Sequence, residues 1–169
     1  MWNSQVIIML LEGIRDTLYM TLASTLFGYI IGLPMGILLT VTDKDGIHPN
    51  TAVYKVLDVI ANLIRSVPFL ILLIVLIPFT RFLIGRSYGP TATIVPLVIA
   101  AAPYIARMVE SSLKEVDAGV IEAARSMGAS NFTIVTKVML VEARTSLIVG
   151  ATISLGTILG YSAMAGTVG

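Results

Sequence analysis

The chain has 169 residues, 12% of them charged, with a mean hydropathy of +0.92 and a formal net charge of +1. A soluble domain carries roughly 25% charged residues, so this composition belongs to a membrane protein, with room for one bundle of helices and no field that would attract nucleic acid. Cysteine is absent, which excludes disulfides, thiolate metal sites and thiol nucleophiles.

Met1 to Asp16 does not fit a cleaved signal peptide, because the apolar run Val6 to Leu11 has no basic segment before it and meets Glu12 after it. Ser4 to Asp16 reads either as a short helix lying at the interface or as the start of the first span. Thr17 to Thr42 carries no charge and, at roughly 1.5 Å per residue, crosses about 30 Å of hydrocarbon with length to spare. It is span one. Gly28, Gly32 and Gly36 fall on one face of it and predict a close helix contact, with Pro34 as a kink point. Asp43 to Lys55 is a polar loop rich in turn residues. His48, the only histidine, stands there without ligand-type neighbours and reads as a solvated loop residue.

Val56 to Thr80 is span two. Asp58, Asn62 and Arg65 lie on one side of its start, either as an interfacial end in which Arg65 snorkels or as a substrate site, and Asp58 is within reach of Arg65 across two turns. Arg81 to Gly89 is a turn, and Ser87 to Ala106 is span three, bent by Pro90, Pro96 and Pro103. Thr145 to Gly169 is span four, with Gly156 and Gly160 as a second close-packing pair. Met164 stands among Ala, Gly and Ser, either as a movable constriction of a pathway or as a packing residue. The sequence stops inside apolar residues, which fits a single transmembrane domain over 1–169 that lacks a C-terminal last span.

Between spans three and four lies a polar island, Arg107 to Arg144, with five basic residues, five acidic ones and two Gly. With four spans, this island shares a side with the loop after span one. That side holds Lys44, Lys55, Arg107, Lys114, Arg125, Lys137 and Arg144, against Arg15, Arg81 and Arg86 on the other. The excess places the island in the cytoplasm and the amino terminus outside. Asp117 is a good N-cap for a helix over Ala118 to Met127, Gly128 a good left-handed stop, and Ser130 or Asn131 a cap for a second helix that leads through Phe132, Val135, Val138 and Met139 into span four. Val120, Ile121, Ala124 and Met127 make an apolar stripe suited to a partner's groove, with Glu122 and Arg125 free to pair at its rim.

Glu122-Ala123-Ala124, three residues, Gly128, nine residues and Val138-Met139-Leu140 resemble the Glu-Ala-Ala loop of ABC importer permeases, Glu-Ala-Ala-x3-Gly-x9-Ile-x-Leu-Pro. Val141 stands where that pattern has Pro, which leaves the turn expected there open. Arg65-Ser66-Val67-Pro68 is similar to an Arg-x-x-Pro stretch of the amino-acid permeases in this family. The likeness extends over nearly the whole chain and is nearest to bacterial importers of D- and L-methionine. It implies an all-α, polytopic transmembrane helical bundle with a cytoplasmic coupling helix in the bacterial inner membrane. It also implies a homodimer of permeases, two separate ABC ATPase subunits and an external substrate-binding lipoprotein. By the same likeness Glu122, Ala123, Ala124, Arg125 and Gly128 form the joint to the ATPase, while Asn62, Arg65, Ser66 and Met164 are pathway candidates on spans two and four.

No Gly-x4-Gly-Lys-Ser/Thr phosphate loop occurs, so this chain is not expected to bind ATP in that way; the resemblance implies no cofactor in this chain, with ATP and Mg bound by the partner ATPase. An intramembrane enzyme would need a nucleophile with its base, or a metal cluster, within the spans, and the spans hold no Cys, His or paired carboxylates. Permeases of other amino-acid ABC importers are the nearest alternative reading. An ion-coupled secondary transporter is a more distant one, for which neither a buried coupling carboxylate nor an inverted repeat is apparent.

Overall fold

A computed structural model describes residues 4–166, and every regular element among them is helical. Helix α1 (Ser4–Thr42) is followed by α2 (Thr51–Ser66), α3 (Phe69–Val75), α4 (Ile77–Ile84) and α5 (Pro90–Lys114). After the short α6 (Ala118–Ser126), the chain runs through α7 (Asn131–Thr133), a π-helical stretch (Ile134–Met139) and α8 (Leu140–Glu142) into α9 (Arg144–Ala165). Among the described residues, helices α1, α5 and α9 are each long and apolar enough to cross a membrane, and the bent pair α2–α3 reaches that length and apolarity only when its two helices are taken together, as a broken span or a re-entrant loop. Span four was expected to reach Gly169; residues 167–169 lie outside the described part.

Helix α5 is the axis of the bundle. Its buried residues Ala101, Ile105, Val109 and Leu113 recur every fourth position and form one face of the larger core, with Ala124, Ile134, Val135, Met139, Ala143 and Ile158 against them. A second core joins Met20, Phe69, Leu73, Leu97 and Ala165. Lipid tails are as apolar as these side chains, so burial alone drives little association and close packing has to supply it. That packing is found where the glycine repeat predicts it. A Cβ added at Gly32 would lie 2.6 Å from the Ala102 carbonyl oxygen, and one at Gly36 equally close to that of Ala106. At Gly28 the obstacle is Ile105 Cδ1, at 2.9 Å. Several hydroxyls in the spans turn back on their own helices, as Thr40 does to Gly36 and Ser154 to Gly150, while Ser146 of α9 donates across to Ser112 of α5 at 2.9 Å.

Helix α1 is one unbroken run through Pro34, so Ser4 to Asp16 is the start of the first span and not a separate interfacial helix. At the standard rise it is about 58 Å long, well beyond the hydrocarbon thickness, and Glu12, Arg15 and Asp16 sit on its overhanging end. Helix α5 likewise continues unbroken through Pro96 and Pro103. It also extends past Ala106 to Lys114, so the first eight residues of the polar island, 107–114, are helix and not water-exposed loop.

Span two is not continuous. Pro68 lacks a backbone N–H and pushes the preceding residue out of the helical region; Val67 is extended (φ −86°, ψ 126°), and α2 meets α3 at 102°. A further break at Leu76 starts α4, which takes in Arg81 to Ile84 where a turn was expected. The polar loop after α1 is shorter than the sequence suggests, because Asn50 caps α2 by accepting from the Val53 N–H (3.2 Å), which makes Thr51 to Lys55 helical. A Cβ on Gly156 or Gly160 would meet nothing within 4 Å, so these two do not form a close-packing pair within this chain.

The glycine contact yields a direct test. Gly32→Val should lower stability by about 1–3 kcal/mol, since the obstructing atom is backbone and has little room to yield. Gly13→Ala, in open space on the same helix, should be neutral or slightly stabilising. Thermal unfolding of the purified variants in detergent reads both, and an unchanged midpoint for Gly32→Val would contradict this packing.

Candidate functional site

The short helix α6 is defined by its caps. Asp117 accepts from the Gly119 N–H at 2.7 Å, and the helix ends at Gly128, whose φ of +81° is a backbone region that side chains with a Cβ avoid. Ser130 then caps the next turn by accepting from the Thr133 N–H (3.2 Å). Val141 replaces the proline of the motif; the regular helix is interrupted two residues later, at Ala143 (φ −78°, ψ 0°), where α9 begins, with the Ala143 N–H still donating to the Met139 carbonyl at 2.9 Å.

The inner side of α6 is fastened to its own bundle. Ala124 is 5% exposed and belongs to the larger core, with Ile121 packed beside it. Arg125 donates to the carbonyl of Ile47 in the α1–α2 loop at 2.9 Å. These contacts correct two expectations. Arg125 is committed within the chain instead of being free at a rim, and the apolar stripe divides, with Ile121 and Ala124 facing inward. Glu122, Ala123, Ser126 and Met127 are exposed, Met127 being 82% exposed and Phe132, just beyond the turn, 78%. A cleft of about 800 Å³ opens between α6 and the α1–α2 loop, lined by Asp43, Ile47, Lys114, Glu122, Arg125 and Met139 among others.

Beneath this cleft is a polar cluster that sequence reasoning missed. Glu110 on α5, 5% exposed, accepts from Arg107 (2.7 Å) and from Lys114 (2.8 Å). Lys114 also pairs with Asp43 at 2.6 Å and lies 5.8 Å over the Tyr54 ring, while the Tyr54 hydroxyl approaches Glu110 at 3.4 Å. The hydrogen bond from Lys114 holds the Asp43 carboxyl below its ordinary pKa. Arg107 reaches across to α2, where it pairs with the Asp58 carboxylate and donates to Asn62 Oδ1 at 3.1 Å. Asp58 therefore does not pair with Arg65, because the guanidinium on α5 takes it. A carboxylate as deeply buried as Glu110 would cost several kcal/mol alone, and two flanking cations offset that cost.

The remaining pathway candidates are scattered. Arg65 and Ser66 are exposed at the end of α2, with the Ser66 hydroxyl bonded to the Leu63 carbonyl (2.7 Å). Met164 is about half exposed on α9. Three residues before it, Tyr161 stacks on Phe69 of α3 (centroids 4.7 Å apart, planes 8° apart), which brings the break in span two beside the end of α9. His48 is exposed in the α1–α2 loop, its backbone N–H donating to the Val41 carbonyl at 3.0 Å.

Comparison with known proteins agrees with this architecture. Residues 8–169 match the family of binding-protein-dependent transport system inner membrane components. The D-methionine transport system permease protein MetI of Salmonella typhimurium is 52% identical over 158 residues, covering 94% of this chain and 73% of that protein. The MetI of Escherichia coli shows the same identity and coverage. A solved structure of inward-facing conformations of the MetNI methionine ABC transporter matches with a TM-score of 0.97 at 49% identity, covering 99% of this chain and 78% of that one. On its sequence and its fold, the chain belongs to the family of inner membrane components of binding-protein-dependent transport systems.

Proposed function

We propose that this chain is the permease subunit of an ATP-driven methionine importer, coupled to a separate ATPase through α6. The observation that carries the coupling role is the two-sidedness of α6. Its inner side is locked to the bundle by Ala124 and Arg125, and its outer side presents Glu122, Ala123 and Met127. A partner that grips the outer side moves the bundle with it. Glu122 and Ala123 form the contact, Ala124 and Arg125 anchor it, and Gly128 permits the turn that sets it at the surface. The methionine assignment is supported by relatives named for D-methionine transport.

Two copies of the permease, two ATPase subunits that bind ATP and Mg, and an external binding protein complete the assembly. ATP stabilises one of two global states, and α6 transmits the choice to the spans. The excess of basic residues on the loop after α1 and on the island supports a cytoplasmic α6 and an external amino terminus. Asn62, Arg65, Ser66 and Met164 lie on the two spans assigned to the pathway, with Asn62 also tied to Arg107. Family membership favours this reading over a secondary transporter or an intramembrane enzyme.

In proteoliposomes of the assembled complex, methionine uptake should require ATP inside. Glu122→Lys or Ala123→Trp should lower both co-purified ATPase and uptake by at least about tenfold while membrane insertion is unchanged; undiminished uptake would remove α6 as the coupling element. Ala123 is the better position for a bulky probe than Ala124, whose side chain is already in the core.

The absence of cysteine permits a second test. With this chain expressed without its ATPase, so that the contact face is uncovered, a single Ala123→Cys substitution should react with a membrane-impermeant maleimide in inside-out vesicles and not in right-side-out ones, and the opposite pattern would refute the orientation.

A further inference from the structure

The contacts beneath α6 form a continuous path to span two. Arg125 holds the carbonyl of Ile47, in a loop that starts at Asp43. Asp43 is held by Lys114, Lys114 by Glu110, and Glu110 by Arg107. Arg107 then grips Asp58 and Asn62 on α2, residues separated from it by 49 and 45 positions in sequence. Beyond Asn62, α2 ends at the 102° break, and α3 stacks on α9 through Phe69 and Tyr161.

Only Arg107 touches both ends of the last step. One nitrogen of its fork, Nη1, serves Glu110; the other, Nη2, serves Asp58 and Asn62. Helix α2 has Ala61 as its single buried residue; Tyr54 near its start meets Glu110 and Lys114 of α5, and farther along the helix the guanidinium holds Asp58 and Asn62 against α5. The cluster has two cations, Arg107 and Lys114, and three carboxylates, Asp43, Asp58 and Glu110. If Arg107 releases α2, Asp58 loses its cation, so the carboxylate favours the attached arrangement and resists a loose one.

Resting on the coupling role of α6 argued above, we propose that Arg107 is a positioning residue: the strut through which displacement of α6 is delivered to α2 and, past the Val67–Pro68 break, to α3. It need not touch the substrate. Its forked geometry is what matters, because a point charge at the same place neutralises Glu110 but cannot hold both helices in one register.

The test is the number of methionine molecules imported per ATP hydrolysed, measured in proteoliposomes of the complete transporter. Arg107→Lys keeps the charge beside Glu110 and loses the fork; Asp58→Ala removes the far attachment. Both should lower the ratio by at least about fivefold, the lower end of typical coupling effects, with the ATPase still co-purifying. A ratio equal to that of the unaltered protein in either variant would overturn the proposal. So would a parallel fall of uptake and hydrolysis with the ratio preserved, since that is the signature of a merely structural cation. The unaltered complex and Ala123→Trp, run in the same preparation, report separately on the methionine assignment and on docking through α6.

Discussion

Three glycines decide how closely α1 can approach α5, and the rest of the molecule is built on that distance. In lipid the hydrophobic effect does not reward one apolar helix for covering another, so association depends on contact between surfaces that fit. With Gly32 and Gly36 set against the carbonyls of Ala102 and Ala106, α1 and α5 form a rigid pair with no room for even a methyl group. The end of that pair carries Asp43, Arg107, Glu110 and Lys114. The backbone contact thus fixes where the charges are, and the charges fix α2 and the loop under α6.

This order explains how a nine-residue helix is held in place at the end of the bundle. Alone it would be marginal, since helices of this length pay for nucleation with few hydrogen bonds. It is stabilised by capping at Asp117, by the left-handed turn at Gly128, by Ala124 in the core and by Arg125 on the Ile47 carbonyl. Its outer side remains available because none of those attachments uses it. The division between a held face and an offered face is the geometry that the proposed coupling role uses.

Much of this was legible because it is local. Caps, the glycine stop and the Gly28, Gly32, Gly36 face depend on residues a few positions apart, and the structure has them as the sequence implies. The break in span two was signalled by Pro68, but hydropathy averaged over the segment read straight through it. Glu110 and Arg107 looked like ordinary members of a charged island because their burial and their pairing with α2 come from residues about fifty positions away, which periodicity does not encode. For the same reason Arg125 looked free: its acceptor is a backbone carbonyl in a distant loop. Gly156 and Gly160 show the reverse case, a close-packing pattern that meets no neighbour within this chain.

The central claim is that α6 and the α1–α5 pair move as one body. In the assembled transporter with one labelled copy, spin labels at Ala118, exposed at the start of α6 and outside the proposed docking contact, and at Thr91, exposed near the start of α5, report the distance between them with and without a non-hydrolysable ATP analogue. A rigid body keeps that distance constant to within about 2 Å while the transporter changes state. A shift of more than about 5 Å, comparable to a full helical turn, would show α6 moving separately and contradict the account.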